Sequence, residues 1–311
     1  MIERWKQVER LLPERIKIII QEEQLQVEQL QEIRLRIGRP PILIYRNQEW
    51  DFPMKTNEQY IVTKEDMREL MDYISQYSLY AFESELRRGY LTVEGGHRVG
   101  VAGKVLIEKN EVKTIQSISS ANIRIAHEVI GCADQVMPYV MKRGDFLHTI
   151  IISSPKCGKT TLIRDLIRQL SDGSVYASGQ TVSVIDERSE LGACYKGIPQ
   201  NDLGKRTDIL DGCPKAEGIE MMIRAMSPSV LAIDEIGGKE EIRALEYGIA
   251  SGCKLLASVH AKDLEEFFLK PGFEKVVEQA WFDRYIILQN QPEIGTLGGI
   301  YDKGGKPLCI N

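Results

Sequence analysis

Several things that would point to familiar classes of protein are missing from this chain of 311 residues. Its six cysteines, Cys132, Cys157, Cys194, Cys213, Cys253 and Cys309, include no Cys-x-x-Cys pair, so neither a zinc knuckle nor a disulfide framework is expected. No apolar stretch reaches the roughly 18 residues that a membrane span needs. The formal net charge of −5 argues against nucleic-acid binding by field alone while allowing a local basic patch, and no basic-aromatic stripe accompanies the expected sheet. The opening Met-Ile-Glu-Arg-Trp-Lys-Gln carries charge too early for a signal peptide, so a cytoplasmic protein is expected. No internal repeat or low-complexity segment is visible. What is present in quantity is core material: 43% hydrophobic residues over this length predicts two packed domains.

The first part reads as α+β. Leu11, Leu12, Ile16, Ile19 and Ile20 form a helical stripe broken at Pro13. Ile33, Leu35 and Ile37 then alternate with Arg34 and Arg36, as in a half-buried strand, and residues 42–45 resume as a second strand after Pro40 and Pro41. Thr63 and Asp66 form a capping-box pattern that opens a helix through Met71, Ile74 and Tyr77, with a second helical piece expected up to Leu86. Strands are expected near 90–93, 98–107, 113–118 and 122–126, with Gly95-Gly96 turning the first hairpin. This domain is placed at residues 1–131.

Beyond a helix expected near 133–141, the pattern changes to β-α alternation with continuous apolar strands, as expected when helices cover both faces of a parallel sheet. Residues 132–311 are therefore expected to form a doubly wound, RecA-like nucleotide-binding domain, and the whole chain to be an α/β protein with a smaller α+β domain in front.

The decisive segment runs from Ile150 to Leu166. An apolar β-branched run breaks into Ser-Ser-Pro-Lys-Cys-Gly-Lys-Thr-Thr and resumes at once as a helix. Strand, loop and helix in that order make a P-loop: backbone N–H groups from Lys156 to Thr161 curl around phosphate oxygens, and the helix points its positive end at them. Pro155, Lys156, Cys157, Gly158, Lys159, Thr160 and Thr161 are the candidate nucleotide-binding residues, with Lys159 for the β- and γ-phosphates and the Thr160 hydroxyl for Mg²⁺. Ser153 stands where the motif usually opens with glycine. Serine can close that turn only if its φ stays negative.

Three further strand ends carry chemistry. The apolar run 229–233 delivers Asp234 and Glu235, a Walker B pattern in which Asp234 holds Mg²⁺ and Glu235 polarises the attacking water. Residues 182–186 end in a second acidic cluster, Asp186, Glu187 and Glu190 with Arg188; Glu187 is the candidate there for organising water and metal, or for meeting a neighbouring subunit. The run 254–259 places His260 at the same sheet edge, where it can sense the γ-phosphate.

Walker A, acidic box, Walker B and a histidine box at Ser258-Val-His260-Ala resemble, in order and spacing, the secretion-type ATPases of type II and type IV systems. Glu32-Ile-Arg-Leu-Arg-Ile-Gly-Arg-Pro40, Gly95-Gly-His-Arg-Val-Gly-Val-Ala-Gly103, Asp211-Gly-Cys-Pro-Lys-Ala-Glu-Gly218 and Met226-Ser-Pro resemble more narrowly the stage III sporulation protein AA family, across nearly the whole chain. That resemblance implies an ATP- and Mg²⁺-dependent ATPase on the mother-cell side of the membrane. It implies attachment to integral membrane proteins of a transenvelope channel in endospore formers, and assembly as a homo-oligomer, a hexamer. It also implies that Arg98 and Arg124 occupy the positions of the arginines that secretion ATPases present to the phosphates. Two other readings compete: a nucleotide-gated structural adaptor with little turnover, and a nucleic-acid motor on a RecA-like core, which the negative charge disfavours.

Overall fold

A computed structural model describes residues 2–22, 25–51, 60–75, 85–86, 89–108 and 110–310. The chain divides into two compact units, Met1–His127 and Glu128–Asn311.

In the first unit two helices, Ile2–Leu11 and Glu14–Glu22, meet at Pro13. Proline has no N–H to continue the first helix, and its carbonyl accepts the amide of Lys17, starting the second. Leu12, Ile16 and Ile20 of the expected stripe are buried. The expected cap is present at the helix Lys64–Ser75: the Asp66 carboxylate accepts the Thr63 amide at 2.7 Å, and Thr63 Oγ1 accepts the Asp66 amide at 3.2 Å. Most of the second helical piece expected up to Leu86 lies outside the described residues.

These helices accompany a six-stranded antiparallel sheet, with β1 Leu30–Arg36, β2 Ile42–Tyr45, β3 Gln48–Asp51, β4 Tyr90–Thr92, β5 Arg98–Glu108 and β6 Glu111–Arg124 in the order β3-β2-β1-β6-β5-β4. One long strand, β6, replaces the two short ones expected. Its direction is kept through an irregular bulge in which residues 117–119 stand opposite Gly103 alone, and Ser117 takes a φ of +46°. Ile33, Leu35, Val99 and Ile123 fill the buried face, so arginines 34, 36, 98 and 124 fall on the other.

The second unit begins with turns rather than with the helix expected at 133–141; only Met137–Val140 is helical there, followed by a small hairpin of β7 Met141–Lys142 and β8 Asp145–Phe146. The Asp165 carboxylate accepts the Ala133 amide at 2.9 Å and draws this segment onto the P-loop helix instead.

Its main sheet has eight strands. Those from the amino side are β9 Thr149–Ser153, β12 Val182–Asp186, β13 Thr207–Asp211, β14 Val230–Ile233 and β15 Lys254–His260; β10 Gly173–Ser174 and β11 Ala177–Ser178 pair separately. β16 Arg284–Gln289, β17 Thr296–Asp302 and β18 Pro307–Ile310 complete the order β13-β12-β14-β15-β9-β16-β17-β18. Pairing is parallel from β13 through β16 and antiparallel over the last two strands. The sheet is apolar on both faces. Ile151, Val184, Ala232 and Leu256 pack toward the helix Lys159–Asp172, while Ile150, Ile152, Leu231 and Ala257 pack toward the helices Lys215–Met226 and Lys239–Ala250. Consequently the ends of β9, β12, β14 and β15 emerge along one edge, where such sheets bind ligands.

Candidate nucleotide site

Every residue of β9 is buried, which anchors the loop that follows it. Ser153 is wholly buried and keeps a negative φ, so serine closes the first turn without the conformation that glycine would supply. The left-handed positions lie further on, at Lys156 with a φ of +63° and Gly158 at +86°. Gly158 is the residue before the helix Lys159–Asp172, and no side chain caps the helix. The amides of its first turn are thus available to an external anion.

Lys159 is buried, and its ammonium folds beneath the loop, 3.3 Å from Ser153 O and 3.4 Å from Ser154 O. Burial holds its pKa below the ordinary lysine value, against the opposing pull of Asp234 and Glu235. Its shortest contact is with His260 Nδ1, at 2.8 Å. An ammonium can only donate, so this bond assigns Nδ1 as acceptor and places the imidazole proton on Nε2. Nε2 in turn lies 3.2 Å from Glu235 Oε1. Lys159, His260 and Glu235 therefore form one hydrogen-bonded chain.

Asp234 and Glu235 are held apart by Ser258, a wholly buried residue of β15. Its hydroxyl donates to Asp234 Oδ1 at 2.6 Å and accepts the Glu235 amide at 2.9 Å. Glu235 itself has a φ of +54°, a costly conformation for a non-glycine residue that turns consecutive acids in different directions. The other Asp234 oxygen accepts from Thr160 Oγ1 at 3.0 Å. Hydroxyl and carboxylate at that separation fit Mg²⁺, which takes few protein ligands and completes its shell with water and phosphate. Among the described residues no cluster of three or more His, Cys, Asp or Glu could hold a metal ion.

The acidic strand end divides its labour. The Asp186 carboxylate turns inward and accepts the amides of Glu190, Leu191 and Gly192 at 2.8–2.9 Å, with burial pushing its pKa up to about 6. It shapes the loop. Glu187 instead reaches Lys215, 3.3 Å away, and Arg188 donates to Glu235 Oε2 at 3.0 Å. Lys215 is the residue that pattern reading passed over as a site residue. It is buried, donates to the Glu235 carbonyl at 2.8 Å, and also lies 3.8 Å from Glu241. One cation thus joins the acidic loop, the turn at Glu235 and the start of the helix Lys239–Ala250. Its place beside Cys213 and Pro214 in a family-like segment was the available signal.

The two candidate arginines belong to the other unit. Arg98 on β5 and Arg124 on β6 are direct cross-strand partners. Arg98 lies over the Tyr90 ring at 4.9 Å, and Arg124 pairs with Glu32 at 3.2 Å.

The model for sporulation stage III protein AA matches residues 2–308. The chain belongs to this family. It is 41% identical to stage III sporulation protein AA of Bacillus subtilis (strain 168) over 304 residues, covering 97% of this chain and 96% of that one. The crystal structure of the pilus retraction motor PilT with bound ADP superposes with a TM-score of 0.60 at 16% identity, covering 96% of this chain and 82% of that one. The ATPase DotB of Legionella pneumophila gives 0.57 at 14% identity, over 88% and 75%. These likenesses establish the secretion-ATPase fold, a RecA-like domain preceded by an amino-terminal domain. Among the described residues no helix is long and apolar enough to cross a membrane.

Proposed function

We propose that this sporulation protein is a Mg²⁺-dependent ATPase that works as a ring of six copies at the mother-cell face of the membrane. There it assembles, energises or gates a transenvelope channel through integral membrane partners during endospore formation. The observation that carries the reading is the hydrogen-bonded chain Lys159–His260–Glu235 beside the Thr160–Asp234 pair, because it couples the phosphate-binding lysine to the acid that would activate water.

Pro155 to Thr161 cradle the phosphates, and Lys159 leaves the Ser153 and Ser154 carbonyls to neutralise their charge. Thr160 and Asp234 hold Mg²⁺, which when bound offsets the negative charge that builds on the phosphate oxygens. Glu235 orients water and accepts its proton, Glu187 arranges the surrounding water through Lys215, and His260 reports on the state of Lys159 to Glu235. Arg98 and Arg124 supply positive charge from the amino-terminal unit, of the same subunit or of a neighbour. A second reading, an adaptor that binds nucleotide with little turnover, draws support from one observation: the Glu235 carboxylate already engages Arg188 and His260.

Phosphate release by the full-length chain separates the two. Steady Mg²⁺-dependent release is expected, abolished in Lys159→Ala and reduced about 10²-fold in Glu235→Gln with ATP still bound. ATP bound by the parent without turnover, with or without its membrane partners, would leave the adaptor.

A further inference from the structure

Within the second unit, Mg²⁺ and the γ-phosphate are assigned to one side of the P-loop. Thr160 meets Asp234 and Lys159 meets His260, and those partners stand on β14 and β15, toward the β12 side of β9. A nucleotide lying along the loop with its terminal phosphate there extends its nucleoside the opposite way, toward β16, the other neighbour of β9. The segment that leaves β16 is built against the P-loop. A Cβ on Gly158 would stand 3.2 Å from Gly295 Cα and 3.6 Å from Ile294 Cγ2, so the close approach of the two backbones depends on Gly158 having no side chain, whereas a Cβ on Gly295 would meet nothing within 4 Å. Gly295 has a φ of +88°, and Thr296 holds the turn: its hydroxyl donates to Glu293 O at 2.7 Å, and its amide reaches the same oxygen at 3.3 Å. What this fixed turn presents is Ile294, a large apolar side chain left 72% exposed.

We infer that Ile294 is the apolar platform for the purine base of the nucleotide, seated where the β16–β17 turn meets Gly158. The inference rests on the nucleotide reading above and adds to it the part of the ligand that the P-loop does not touch. An aliphatic side chain offers a purine face packing area but no hydrogen-bond code, so adenine and guanine nucleotides bind with similar affinity.

Calorimetry on the full-length chain tests this with two probes, Mg-ADP and inorganic tripolyphosphate. Ile294→Ser should weaken Mg-ADP about ten-fold, the scale expected for losing part of one buried aliphatic contact, and leave tripolyphosphate within two-fold. Ile294→Leu should keep both. Because the side chain is exposed, the melting temperature should stay that of the parent, which separates the effect from misfolding. If Ile294→Ser leaves Mg-ADP affinity unchanged, or weakens both probes equally, the residue only packs on the loop and the inference is wrong. A parent chain that binds neither probe would overturn the nucleotide reading itself, and this inference with it; a parent that binds both equally tightly would overturn the platform alone.

Discussion

Arg98 and Arg124 face each other directly across β5 and β6, so two guanidinium groups rise from the same face of the amino-terminal sheet. Like charges at directly opposed positions destabilise a sheet. Here the repulsion is relieved locally, by Glu32 beside Arg124 and by the Tyr90 ring beneath Arg98.

In the role proposed for them, these arginines act more on the transition state than on the ground state. Arg98→Ala and Arg124→Ala should each lower kcat at least ten-fold, with ATP Kd changed less than about three-fold. Mixing either variant with Lys159→Ala distinguishes the geometry. Where fingers act between subunits, some sites of a mixed ring hold both an intact P-loop and an intact finger, and partial activity returns. Mixed rings that stay inactive would place the fingers within one chain, and normal hydrolysis by both variants would remove them from the mechanism.

Lys215 makes a different prediction. Its ammonium fixes the Glu235 carbonyl from inside the fold and touches no part of the P-loop in the contacts described above. Lys215→Met should therefore lower kcat by one to two orders of magnitude through a misplaced Glu235, with Mg-ADP affinity near that of the parent. Glu187 and Glu241 are part-exposed and screened by solvent, so losing their shared cation should cost only about 1 kcal/mol in stability by denaturant unfolding. Lys215→Arg, which keeps the charge, should recover part of both. A variant with parental kcat would show that the lysine serves stability only.

The depressed pKa of Lys159 fixes the sign of a pH effect on binding. Burial disfavours its ammonium in the free protein, while phosphate at the loop favours it, so binding raises the pKa and takes up protons. Affinity for Mg-ADP should be fully present below the depressed pKa and fall as pH rises through it, below the ordinary lysine value of 10.5. Calorimetry in buffers of different ionisation enthalpy should register that uptake in the parent. The same uptake in Lys159→Met, assayed with enough ligand to bind, would assign the proton to another group.

Much of this was legible in the residues alone, and the reason is local. A β-branched run, a glycine-containing loop and an amphipathic helix are specified by neighbours a few positions apart, so the strand-loop-helix around Gly158, the strand that ends before Asp234, the capping pair Thr63–Asp66 and the break at Pro13 could be read directly. Membership of the family was legible for the same reason, in contiguous motifs. Boundaries fared worse where a long-range contact overrode propensity, as where Asp165 draws the segment near Ala133 out of the expected helix. The bulge that keeps β6 continuous at Ser117 has no cue in the strand's own alternation.

What only the tertiary structure decided is which distant residues share the site. Lys159 and His260 are 101 positions apart, and Thr160 and Asp234 are 74 apart. They meet because the sheet order inserts β15 between β14 and β9, a choice made by burying both apolar faces together rather than by any local preference. Ser258 as the bridge between Asp234 and Glu235, Lys215 behind Glu235, and Ile294 against Gly158 all follow from that order. Sequence determined the kind of chemistry each strand end can offer; packing of the sheet determined which of those ends stand close enough to act together.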